Sequence, residues 1–144
     1  MKYLLCIVVF TLMLLHINAQ QKLKEQFILK GTVQGQDEGW VYLSYADKNG
    51  KPVRDSAAVK NGSFEFKGLV KEPTMASFNG KLLSRSMDDP NYTNFFLEPA
   101  VMHITVGVNN FKEAKITGSK TQIEYQALQQ PLNKLRNRWK VVMD

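Results

Sequence analysis

From Gln26 onward, apolar and polar residues alternate with a period of two rather than 3.6. Phe27, Leu29, Gly31 and Val33 fall on one side, Ile28, Lys30 and Thr32 on the other. A segment of this kind is a strand with one face against a core. Trp40-Val41-Tyr42-Leu43-Ser44-Tyr45 is β-branched and aromatic, with Trp40 and Tyr42 on one face and Tyr45 on the opposite one. Shorter runs at 56–59, 63–66, 75–78, 94–97, 102–106 and 114–117 have the length and composition of further strands.

Turn residues punctuate these runs. Asn49-Gly50, Asn61-Gly62 and Asn79-Gly80 are all Asn-Gly pairs. The type I′ hairpin turn needs positive φ at both central residues, which this pair tolerates at low cost. Asn61-Gly62 is the clearest, because Val59 before it and Phe64 and Phe66 after it keep one face apolar. Asp37-Glu38-Gly39 and Asp88-Asp89-Pro90-Asn91 are expected to be loops. Short strands at this spacing predict an all-β fold, an antiparallel β-sandwich or half-open barrel.

The C-terminal segment changes period. Tyr125, Leu128, Leu132, Leu135, Trp139 and Val142 recur at steps of three and four, an amphipathic helical stripe. Ser119 or Thr121 is the expected N-cap, and Pro131 is expected to kink or break the helix. The stripe either folds back onto the sheet or meets another surface. Leu128, Leu132, Leu135 and Trp139 are therefore its candidate interaction residues.

The N-terminus has a different character. Lys2 precedes an apolar run over 4–15, and Ala19 offers a small residue for cleavage. A helical membrane span needs about 20 apolar residues, so the run is short for one. It has the form of a secretory signal peptide over 1–19. The expected organisation is a signal peptide (1–19), a β-domain (20–118) and a C-terminal helical segment (119–144). No stable membrane span is expected after processing. The single cysteine, Cys6, leaves with the peptide, so the processed chain has no disulfide or thiol chemistry.

Composition and charge narrow the function classes. Hydrophobic residues make up 44% of the 144 and charged residues 22%, a globular balance. The net charge is +6, and beyond Ser119 five basic residues face two acidic ones. In an exported protein this basic tail keeps a helix soluble or touches an anionic surface, and nucleic acid is not the expected partner. Only His103 accompanies the processed chain, and no Gly-x-Ser-x-Gly elbow surrounds Ser56, so Asp55, Ser56 and His103 make a weak triad. Asp88, Asp89, Asn91 and Asn94 supply oxygens for calcium, but Pro90 breaks the spacing of a calcium loop. Glu98 precedes Pro99, where a carboxylate accepts backbone N–H bonds in a turn or acts as an acid. No catalytic residue, metal ligand or cofactor is predicted. Trp40 and Tyr42 are the candidate ligand-binding residues, an aromatic platform for a sugar, against the alternative of core packing.

Several segments in order carry a family resemblance. They are 27–33, Val41-Tyr42-Leu43, Asp55-Ser56-Ala57, 61–68, Pro73, Phe96-Leu97-Glu98-Pro99, Ile116-Thr117-Gly118-Ser119 and Gln122-Ile123-Glu124-Tyr125. Together the chain resembles the domain of unknown function 4369 family. The resemblance implies an exported N-terminal β-domain of Bacteroidota-type bacteria, usually placed before a thioredoxin-like domain. It assigns no catalytic residues, and no Cys-x-x-Cys motif is present here. Ala100 stands where the family often has Gly, so a different turn is expected there.

The resulting expectation is a non-catalytic accessory or interaction domain in the periplasm or cell envelope of a Gram-negative bacterium. Its partner would be a thioredoxin-like protein or domain, or a second copy through the C-terminal helix, a truncated linker helix in this reading. The alternative is a small glycan- or peptide-binding β-module.

Overall fold

The computed structural model describes residues 24–80 and 88–143. The expected signal peptide lies outside the described residues. Eight strands follow one another: β1 (Gln26–Gln34), β2 (Glu38–Ala46), β3 (Pro52–Lys60), β4 (Ser63–Leu69), β5 (Thr74–Asn79), β6 (Tyr92–Leu97), β7 (Val101–Gly107) and β8 (Asn110–Thr117). A helix, α1 (Lys120–Met143), follows β8. Among the described residues no helix is long and apolar enough to cross a membrane.

The strands form one sheet in the order β6-β5-β2-β3-β4-β1-β7-β8. It curls into a nearly closed barrel of two four-stranded halves. β3 and β4 join the halves at a single residue pair, Lys60↔Ser63. At the opposite end, the Lys48 N–H donates to the Leu69 carbonyl (3.0 Å). The expectation of a purely antiparallel sheet needs one correction, because β1 and β7 run parallel from Ile28↔Val101 to Gln34↔Gly107. Parallel neighbours need a long connection, and the five intervening strands supply one.

Alternation along each strand builds the core. Phe27, Leu29 and Val33 of β1, Val41 and Leu43 of β2, and Phe64 and Phe66 of β4 are all buried, as their period predicts. Phe78 of β5 ties the halves together. Its ring stacks on Phe64 and on Phe111 of β8, each at 5.2 Å, and meets Phe66 edge-on at 6.5 Å. Tyr45 also enters the core, with its ring edge-on to Phe27 at 5.2 Å.

The three Asn-Gly pairs diverge. Asn61 and Gly62 both have positive φ (49° and 72°) and make the two-residue turn between β3 and β4. At Asn49-Gly50 only Gly50 has positive φ. There Asp47 organises a longer loop, its carboxylate accepting the N–H groups of Asn49 (2.8 Å) and Lys51 (2.9 Å). Those bonds, led by the one from Lys51, hold the Asp47 carboxyl below its ordinary range. Asn79 is the buried last residue of β5, not a hairpin residue, and Gly80 donates its N–H to the Asn91 carbonyl. Pro131 lies inside α1, which runs on through it as one element rather than breaking there.

Candidate functional site

β2 and β3 pair along their full length, which sets their outer face. Trp40 stands opposite Ala58, and Tyr42 opposite Ser56. Trp40 is 55% exposed, since the alanine across from it leaves the indole uncovered. Tyr42 shares that outer face and is half-buried between Ser56 and Asn79 of β5. The expected division of aromatic residues is therefore observed, with Tyr45 turned into the core.

Beyond their shared turn, β3 and β4 diverge and leave a groove of about 850 Å³. Its lining comes from β3 (Ser56, Ala58, Lys60), from β4 (Ser63, Glu65) and from the outer positions of β1 and β7. Those outer positions include Lys30, Thr32, His103 and Thr105. Alternation explains why polar groups gather here: every second residue of β1, β4 and β7 faces outward, and these are the polar members of each pair. The Thr32 hydroxyl donates to that of Thr105 across the parallel pair (3.3 Å). Glu65 is bound by Lys67 at 2.6 Å, and this bond keeps its carboxyl below the usual range. The depression around Trp40 shares Ala58 and Lys60 with the groove, so indole and groove form one continuous surface.

Of the candidate acid–base residues, Ser56 and His103 both line the groove, whereas Asp55 and Glu98 do not. His103 is exposed on β7, between Lys30 of β1 and Thr117 of β8. Asp55 sits on the inner side of β3, opposite Leu43, and accepts the Ser56 N–H (2.8 Å). It lies close enough to Tyr45 to add to the effect of burial, which raises the phenol's pKa. Asp89 accepts the Asn91 N–H at 2.8 Å, and the Asn91 side chain exchanges two hydrogen bonds with Asn109. The 88–91 loop thus spends polar groups on joining β6 to the β7–β8 turn. Among the described residues no group of three or more His, Cys, Asp or Glu side chains converges.

Glu98 has a role that crosses the molecule. Its two oxygens accept the N–H groups of Lys120 (2.7 Å) and Thr121 (3.2 Å), the first turn of α1. Ser119 caps the same turn, its hydroxyl oxygen accepting the Gln122 N–H at 3.0 Å. Burial pushes the Glu98 carboxyl upward. Hydrogen bonds from the Thr121 hydroxyl, the two N–H groups and Ser119 outweigh that and hold it below its ordinary range. Gln122 returns the connection, accepting the Phe96 N–H of β6 at 2.9 Å, and Tyr125 packs edge-on against Phe96 at 5.3 Å. Gly118 makes the approach to the helix possible: its φ is +84°, and a Cβ there would stand 2.3 Å from the Val101 carbonyl oxygen. Ala100, beside Glu98, closes a three-residue turn by donating its N–H to the Glu98 carbonyl (2.7 Å).

The apolar stripe of α1 is only partly used. Tyr125 is docked, whereas Leu128 and Leu132 are 66% and 50% exposed. The side chains of Leu135 and Trp139 lie outside the described ones.

A family model for the domain of unknown function DUF4369 matches residues 27–125, more than half of the chain. This chain is a DUF4369 domain. No curated protein and no solved structure matches it. The matched span takes in the eight strands except for Gln26, the first residue of β1, and stops at Tyr125, just where the docked turns of α1 end. The segments that carried the resemblance are thereby explained in part. Phe96 and Glu98, Gly118 and Ser119, and Gln122 and Tyr125 converge on one fastening of α1 to the DUF4369 barrel. Of the two readings of Glu98, acceptor of N–H groups or acid, the first is observed, and of the two candidate caps, Ser119 and Thr121, it is Ser119. Sequence reasoning missed that Glu98 serves a helix beginning 22 residues later, and it missed the groove. The only local signal for the groove was the run of hydroxyl and lysine residues at outward positions.

Proposed function

We propose that this DUF4369 domain is a non-catalytic interaction domain of exported proteins, acting beside a thioredoxin-like domain or protein. Residues 1–19 direct its export to the periplasm or cell envelope. The observation that supports the reading is α1. The helix is fastened to β6 through Glu98, Gln122 and Tyr125, and it presents Leu128 and Leu132 to solvent one turn apart. A helix fastened at its first turns, with exposed leucines just beyond, suits contact with a neighbouring protein or domain.

The test is an affinity capture from a bacterial envelope extract with the processed domain as bait. Recovery of a thioredoxin-like protein, lost when Leu128 and Leu132 are both replaced by Asp, is the expected outcome. Capture unchanged by that double substitution would count against the helix as the contact surface. Turnover of any substrate by the purified, metal-free domain would overturn the non-catalytic assignment.

A further inference from the structure

The surface running from Trp40 into the groove has no part in fastening α1, and its chemistry is of a different kind. The exposed indole stands at one end, opposite Ala58. Next come short hydroxyl side chains on three strands: Ser56 of β3, Ser63 of β4 and Thr32 of β1. Lys60 lies on the ridge shared by the two depressions, and Lys30 on the groove's far side. Among the described residues neither lysine has an ion-pair partner within 4 Å, although each faces a glutamate in register: Lys30 faces Glu65, which Lys67 binds and which also lines the groove, and Lys60 faces Glu38, which lines the depression around Trp40.

We propose that this surface, with Trp40 as its stacking platform and Lys60 and Lys30 as its anion contacts, binds an acidic oligosaccharide. A pyranose ring has an apolar C–H face and a rim of hydroxyls. The first packs on an indole, and the second exchanges hydrogen bonds with Ser and Thr hydroxyls that both donate and accept. A carboxylate-bearing sugar offers each ammonium group the close ion pair that the glutamate opposite it does not make. The groove's volume of about 850 Å³ is within the range of roughly 300–1,000 Å³ usual for ligand sites. A peptide strand suits the same place less well. The open edge of β3 starts at Pro52 and carries Asp55 pointing inward, both of which discourage strand addition.

The proposal is independent of the interaction reading for α1, and its test separates the two. The purified processed domain is titrated calorimetrically with hexagalacturonate, with neutral maltohexaose and with poly-glutamate of similar length. Saturable binding of hexagalacturonate is expected. It should weaken at least about tenfold in Trp40→Ala and fall in Lys60→Gln, while the double Asp substitution at Leu128 and Leu132 leaves it unchanged. Circular dichroism of Trp40→Ala checks that the fold is kept, as an exposed side chain predicts. No binding of hexagalacturonate, equal binding by Trp40→Ala, or equal affinity for maltohexaose would overturn the proposal. Poly-glutamate binding as tightly as the sugar would also overturn it, by showing a general anion surface open to acidic peptide.

Discussion

Glu98 shows how one side chain can fasten an element distant in sequence. Its carboxylate holds two N–H groups at the start of α1, where the helix dipole also favours negative charge. The folded carboxyl titrates below its ordinary value of 4.5. Its contribution is therefore complete above the unfolded value and is lost as the pH falls through the lower folded one. Glu98→Gln should cost about 1 kcal/mol at neutral pH, the usual worth of a helix cap. The gap between wild type and variant should narrow as acid is added below the ordinary carboxyl value. Chemical denaturation at a series of pH values measures both, and a gap that widened in acid would contradict the clamp. At this scale the sequence was informative about residue type but not destination. A carboxylate before Pro99 is a good acceptor anywhere, and only the position of the Lys120 and Thr121 N–H groups says for what.

Among the elements, the strands followed their alternation closely, and the turns followed it less. Asn61-Gly62 adopts the expected hairpin because two residues must close the Lys60↔Ser63 pair, and this dipeptide bears positive φ at both positions. The same dipeptide at Asn79-Gly80 ends a buried strand instead, because β5 pairs onward to Tyr92 and its neighbour Gly80 bonds to Asn91. Turn chemistry is a permission, and pairing decides whether it is used. α1 gives a similar lesson. Pro131 removes a backbone donor and crowds the preceding turn, yet the helix continues. Pro131→Ala should relieve a local penalty of about 3 kcal/mol and raise the helical circular dichroism signal. An unchanged or weaker signal would mean that this turn is set by contacts other than its own propensity.

The whole molecule depends on a few side chains that bridge the halves of the barrel. Phe78 has rings of β4 on one side and of β8 on the other. Phe78→Ala should lower unfolding free energy by about 3–5 kcal/mol, measured by denaturant titration, because the halves can close only partly over the cavity. A loss below about 1 kcal/mol would show that the halves are stabilised independently. The groove also belongs to this scale. No strand carries it alone. It exists because β3 stays with β2 and β4 stays with β1, so the two part beyond their turn.

The sequence by itself determined what is set between near neighbours. It specified the strand class, the inward and outward faces, the Asn61-Gly62 turn, a helix cap at Ser119 or Thr121 and the exposure of His103. Alternation, backbone sterics and capping act over a few residues, so they are visible in a line of letters. The tertiary structure alone decided that β1 lies parallel to β7, that Glu98 reaches α1, that Trp40 is open rather than packed, and that Leu128 and Leu132 face solvent. Each of those depends on which distant surfaces meet. That choice minimises exposed apolar area over the whole chain at once, and no single segment contains it.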